Sequence, residues 1–144
     1  ARKKVSSNGL VIDQIRDSYE IAQLKKMASV TGAIYIGGGV PKNYIQQLGP
    51  VSELLFRKES GHRYAFQVTT DDPKWGGLSG CTFEEAQSWR KIAPAANTGT
   101  VNVEATVVLP LVVSALAEGS AEAIKARRRP TISFDGMRGA WSGS

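Results

Sequence analysis

Between Leu10 and Ser29 the apolar residues Leu10, Val11, Ile15, Tyr19, Ala22 and Met27 recur at steps of three and four. That is the period of a helix with one apolar face, and Lys25 and Lys26 near its end suit a helix C-terminus. Thr31-Gly32 closes it. The short run Ala33-Ile34-Tyr35-Ile36 then leads into Gly37-Gly38-Gly39, which predicts a buried strand followed by a tight turn. Pro41 fits the first turn of a second helix, where a missing N–H is harmless. Residues 49–63 show no clear period and read as loop or short helix. Tyr64 to Thr69 predicts a second strand, with the loop Asp71-Asp72-Pro73-Lys74-Trp75-Gly76-Gly77 after it. Thr82-Phe83-Glu84-Glu85 has the form of a capping box and predicts a helix from Phe83 to about Ile92. A third strand is expected over Thr100 to Val103, then a closing helix from about Val108 to Ala126 with a break at Gly119-Ser120. From Pro130 to Ser144 apolar residues are too few to specify an element.

Strands separated by helices imply parallel pairing, because parallel strands need a crossover. The expected class is α/β, a Rossmann-like parallel sheet with helices on both faces. One domain is expected over residues 1–126, with 127–144 as a basic, flexible tail.

Composition narrows the chemistry. The chain has 144 residues and a single cysteine, Cys81, which rules out an intrachain disulfide and any cluster of cysteine ligands. The apolar run Val107 to Ala117 is far shorter than a bilayer span and Pro110 interrupts it, so a soluble, cytoplasmic protein without a membrane partner is expected. The opening Ala-Arg-Lys-Lys lacks the apolar core of a secretory signal. Net charge is +5, but residues 70–104 hold five acids against three bases. The excess lies in runs such as Arg2-Lys3-Lys4 and Arg127-Arg128-Arg129, with no interleaved aromatics or zinc spacing, so nucleic acid is not the expected partner.

Ligands of open parallel sheets bind at the carboxyl ends of the strands. Gly37-Gly38-Gly39, Thr69-Thr70-Asp71-Asp72 and Glu104 all fall there and are expected to share one crevice. Glycines beside a helix start suit a pyrophosphate, although such a turn wants glycine in any case and the triplet is not a G-x-G-x-x-G fingerprint. Glu104 fits either a ribose hydroxyl or a helix start. On the helix from Phe83, Glu85 and Trp89 lie four apart on one face, with Lys91 displaced toward another side. A carboxylate and an indole suit a small cation, and a lysine in neutral form attacks an imine or aldehyde. The ordinary reading of the same residues, favoured by the pattern alone, is an amphipathic helix with a core tryptophan and a solvated lysine. His62 reads as a surface residue, Cys81 as a small buried or loop residue, and Asp71-Asp72 as turn geometry with no third metal ligand.

The runs Ile34-Tyr35-Ile36-Gly37-Gly38-Gly39-Val40-Pro41-Lys42-Asn43, Tyr64-Ala65-Phe66-Gln67-Val68-Thr69-Thr70 and Glu85-Ala86-Gln87-Ser88-Trp89-Arg90-Lys91-Ile92 resemble deoxyhypusine synthase and its bacterial relatives, in order and spacing, across roughly residues 9–118. The Glu-x-x-x-Trp-x-Lys block is the most specific part. The resemblance implies the C-terminal part of a larger NAD-binding fold and an NAD-dependent transfer of the aminobutyl group of spermidine, or a related polyamine, through a lysine imine to an acceptor amine or protein lysine. It implies Lys91 as the covalent lysine. Asn43, Gly76, Gly77, Leu78, Glu85 and Trp89 fall at the polyamine, and Gly38, Thr70, Asp71, Glu104 and Ala105 at NAD. It also implies a homotetramer, or a partner chain that supplies the N-terminal half. Asn43 stands where the eukaryotic enzymes have histidine, Trp75 and Leu78 where they have acids, and Arg90 where glycine is usual. Arg90, the short length and the basic tail motivate an alternative, a catalytically degenerate paralogue that serves as a structural or binding subunit of a larger assembly.

Overall fold

The computed structural model describes residues 12–57, 61–76, 80–135 and 138–142. Helix α1 spans Gln14–Met27, with the Asp13 carboxylate accepting from the Arg16 N–H at its start and Lys25 and Lys26 in its last turn. Strand β1 (Gly32–Ile36), helix α2 (Gly39–Gln46), helix α3 (Leu48–Phe56) and strand β2 (His62–Val68) follow. A single 3-10 turn covers Pro73–Trp75, capped by the Asp72 carboxylate. Helix α4 (Phe83–Ser88) leads to strand β3 (Ile92–Val101), then helices α5 (Ala105–Gly119) and α6 (Ala121–Ala126). Strands β4 (Thr131–Asp135) and β5 (Arg138–Ser142) pair antiparallel as a hairpin.

β1, β2 and β3 form a parallel sheet with β2 in the centre. The class is therefore α/β with a Rossmann-like parallel sheet. Alternation along the strands decides what is covered: Tyr35, Ala65 and Gln67 are buried, whereas Ile34, Ile36 and Tyr64 on the opposite face are exposed. Tyr35, Ala65, Phe83, Ala86 and Ile92 make the core, so α4 packs on the covered face.

Several boundaries differ from the sequence reading. The helix expected to reach Ile92 stops at Ser88, because Arg90 takes a left-handed conformation (φ 57°) that reverses the chain, and Ile92 opens β3. The third strand runs over Ile92–Val101 rather than Thr100 to Val103. Its pairing with β2 is irregular between His62 and Tyr64, opposite the segment that holds Pro94, which has no N–H to give. Residues 49–63, left open by the pattern, hold all of α3 but its first residue and the first two residues of β2. The expected break at Gly119-Ser120 separates α5 from α6. Leu10 and Val11, which opened the first helical pattern, lie outside the described residues.

Candidate active site

Ile36, Val68 and Val101 are paired across the sheet, so three loops leave it at one level. The Gly37 N–H donates to the Val68 carbonyl at 2.7 Å, and the Thr69 N–H to the Val101 carbonyl at 3.0 Å. Gly37 and Gly39 have φ of 85° and 73°, which side chains tolerate poorly. Gly38, between them, is the N-cap of α2 and supplies no side-chain cap, so no cap side chain covers the first N–H groups of that helix. A cleft of about 360 Å³ opens along this rim, with Thr69, Asp71, Cys81, Phe83 and Thr100 among its walls. Asp71 lines it; Gly38, Thr70, Glu104 and Ala105 stand at the strand ends outside its walls. The Glu104 carboxylate accepts from the Thr106 N–H at 2.8 Å and from the Thr106 hydroxyl. It caps α5, and those two bonds hold its carboxyl below the usual range. Of the two readings open for Glu104, the structure shows the helix start.

Lys91 and Trp89 invert the ordinary reading of their helix. Lys91 is only 9% exposed and Trp89 is 63% exposed. The reversal at Arg90 produces this: Trp89 is the C-cap of α4 and stays outside, while Lys91 turns inward one residue before β3. The Lys91 N–H donates to the Ala86 carbonyl at 3.0 Å, and its carbonyl accepts from the His62 N–H at 3.1 Å. Its Nζ donates to Asn43 Oδ1, on α2, at 3.1 Å. Two residues 48 positions apart in the chain thus meet. Arg90 does not crowd Lys91. Its guanidinium is paired with Glu53 on α3.

Glu85 lies on the exposed side of α4, and its charge acts on both Lys42 and the Cys81 thiol. Gly76 ends the 3-10 turn with φ 68°, while Gly77 and Leu78 lie outside the described residues. Lys42 was not singled out from the sequence, yet it is among the most buried side chains of the protein. It donates to Gln67 Oε1 at 2.8 Å and to the Cys81 carbonyl at 2.6 Å, and sits 5.8 Å over the Phe83 ring. Burial, first of all, and the nearby Lys91 charge lower its affinity for a proton, against Cys81 and Glu85. The signal that could have found it is spacing, since Lys42 and Gln46 form an i, i+4 pair on the buried face of α2. The Cys81 thiol is pushed up, chiefly by burial and then by Glu85, which leaves it poorly suited to nucleophilic attack.

His62 is a correction. It is not a surface residue but 3% exposed. The pattern missed it because its surroundings come from α1, the connection between α1 and β1, and α2. Lys25 donates to the Thr31 hydroxyl oxygen, Thr31 lies 3.0 Å from His62 Nδ1, and His62 Nε2 lies 3.2 Å from the Ile45 carbonyl. An ammonium only donates and a carbonyl only accepts, so the chain orders one way: Thr31 O–H to Nδ1, and Nε2–H to Ile45. Among the described residues no group of three His, Cys, Asp or Glu side chains is placed to hold a metal, and no helix is long and apolar enough to cross a membrane.

The chain is 49% identical over 130 residues to the probable deoxyhypusine synthase 2 of Methanosarcina mazei, covering 90% of this chain and 37% of that protein. It is 46% identical over 128 residues to the protein of the same description from Archaeoglobus fulgidus, covering 89% and 41%. A deoxyhypusine synthase-like protein of Coxiella burnetii is 42% identical over 105 residues, covering 73% and 30%. The chain thus spans less than half the length of these relatives. The deoxyhypusine synthase family profile matches residues 1–116, and the chain belongs to that family.

Proposed function

We propose that this chain carries the imine-forming part of an NAD-dependent aminobutyl transfer from spermidine, or a related polyamine, to an acceptor amine or protein lysine. The observation that carries the reading is the burial of Lys91 with its amine on Asn43. A lysine so placed is withdrawn from bulk water, as a covalent amine must be if its imine is not to hydrolyse.

The rim fits the dinucleotide. α2 begins at an uncapped Gly38, and a Cβ at Gly37 would meet nothing within 4 Å, so backbone N–H groups are open to a pyrophosphate. Asp71, which lines the cleft, suits a ribose hydroxyl. Thr70, Glu104 and Ala105 would border the same group, Glu104 through its backbone because its carboxylate serves Thr106. NAD, when bound there, supplies the hydride acceptor for oxidation of the spermidine carbon. Lys91 then adds its nitrogen lone pair to that carbon, the propanediamine remainder leaves with the proton that Lys91 gives up, and the aminobutyl group stays on Lys91 as an imine. Asn43 accepts from the amine and so orients it. Glu85 matches one substrate ammonium and exposed Trp89 offers a ring face, and the family resemblance adds Gly76, Gly77 and Leu78 as substrate-binding residues. The acceptor amine displaces Lys91 in the reverse sense. The remaining polyamine and NAD contacts come from the segment by which the relatives are longer, or from a second subunit.

The degenerate-subunit reading loses its main support, since Arg90 is turned toward Glu53. The test is incubation of the chain with spermidine and NAD, with the remaining segment of a relative supplied, then borohydride reduction and peptide mass spectrometry. An aminobutyl adduct on Lys91, absent from Lys91→Arg, is expected. No adduct under these conditions refutes the catalytic reading.

A further inference from the structure

α3 touches the residue before Lys91 twice. At Gly49 a Cβ would come 2.6 Å from the Arg90 carbonyl oxygen and 3.4 Å from the Lys91 Cα, so the helix lies directly on that peptide. One helical turn further along, Glu53 pairs with the Arg90 guanidinium. Between these contacts Arg90 holds φ at 57°, a conformation that disfavours any residue with a Cβ. The reversal is what brings Lys91 to Asn43, and the three-residue unit Trp89-Arg90-Lys91 has no glycine to make it cheap. The arginine side chain supplies instead an anchor that a glycine lacks.

We propose that Glu53 is a positioning residue for Lys91, acting through Arg90: the ion pair holds the left-handed turn, and so keeps the Lys91 amine on Asn43. Its importance for turnover rests on the reading of Lys91 as the imine-forming residue, but the positioning claim is testable without it. An exposed ion pair acts weakly, so the expected effects are small and local.

The experiment is a double-mutant cycle on the full chain with Glu53→Gln, Arg90→Gly and both changes together. The first readout is reductive alkylation by butyraldehyde and cyanoborohydride, followed lysine by lysine. Lys91 should react slowly relative to exposed Lys125, and Glu53→Gln should speed it by about two- to five-fold. Arg90→Gly, which holds the turn without an anchor, should keep Lys91 protected whether or not Glu53 is changed. Buried Lys25, on α1, reports global loosening and should not change. Equal Lys91 rates in wild type and Glu53→Gln overturn the proposal. So does a parallel rise at Lys25, or persistence of the Glu53→Gln effect in the Arg90→Gly background. The second readout is the spermidine-dependent adduct, where Glu53→Gln should lower the rate at saturating spermidine and leave its half-saturation unchanged; an effect on half-saturation alone also overturns the proposal. If no protein forms that adduct, the catalytic reading fails while the alkylation cycle still decides the positioning one.

Discussion

Acidification should destabilise this protein in part through a single buried imidazole. His62 is pushed down to about 4, mainly by burial and then by the Lys25 ammonium, against a smaller upward pull from the Ile45 carbonyl. The hydrogen-bond order explains the sign: a proton on Nδ1 would break the bond from Thr31 and face the Lys25 charge behind it. The unfolded ring binds a proton near its ordinary value of about 6.5. Above that pH both states are neutral and the native contacts count in full. As pH falls from 6.5 toward 4 the unfolded state takes up a proton the folded state refuses, and stability drops by about 1.4 kcal/mol per pH step. The loss reaches ~2.5 kcal/mol by pH 4.5. Carboxylates titrate at the lower end of this window too, so the measurement is a comparison of wild type with His62→Gln. At pH 7.5 the variant should be weaker by ~2 kcal/mol, since a glutamine cannot satisfy both Thr31 and Ile45 in the ring's geometry. It lacks the titration, so the two stability curves should cross near about pH 5. Urea denaturation followed by circular dichroism at pH 7.5, 6.5, 5.5 and 4.5 reads this as a relative midpoint change of about 1–2 M. If both proteins lose stability in parallel across that range, the buried neutral histidine is the wrong account.

Three further perturbations follow from the packing. Gly49→Ala places a methyl 2.6 Å from the Arg90 carbonyl oxygen, so α3 or the lysine turn has to move. A loss of ~1–3 kcal/mol in thermal denaturation is expected, with Lys91 freed to alkylation, and an unchanged melting temperature would show that the contact is slack. Tyr35 carries a buried hydroxyl beside the Gln46 amide without a well-formed bond between them, and burial pushes it up to about 12. Tyr35→Phe should therefore be neutral or stabilising by up to ~1 kcal/mol, and a loss above that would reveal a partner for the hydroxyl. Lys42→Met keeps the side-chain volume but strands Gln67 Oε1 and the Cys81 carbonyl. A loss of ~1–3 kcal/mol at neutral pH is expected, and an unaltered denaturation midpoint counts against a structural role for the buried ammonium.

What could be read from the sequence was whatever is decided locally. The Thr82 cap, the glycine turn after β1 and the helix break at Gly119-Ser120 each depend on neighbours within a few positions, and each stands where the pattern put it. β3 was missed over most of its length because Pro94, Asn97 and Gly99 give no strand signal, and pairing with the central strand imposes the conformation instead. His62 was invisible for a related reason. Its burial is set by partners 17 and 31 residues away in the chain, and no periodicity carries that information, whereas Lys42 left only the weak trace of its spacing from Gln46.

Lys91 shows how the two kinds of information combine. Spacing on one continuous helix gave the wrong picture, an inward Trp89 and an outward lysine, because it carried the 3.6-residue period past Ser88. A left-handed residue at position 90 breaks the period, and glycine, the usual sign of such a residue, is absent. The family block singled out Lys91 without reference to its helix, and the burial of that lysine follows from the reversal at Arg90. The cause is tertiary: Gly49 on α3 makes room for the Arg90 carbonyl, the His62 N–H takes the Lys91 carbonyl, and Asn43 takes the amine. Three elements must be in place before this lysine is buried, so its reactivity depends on the fold more than on its helix.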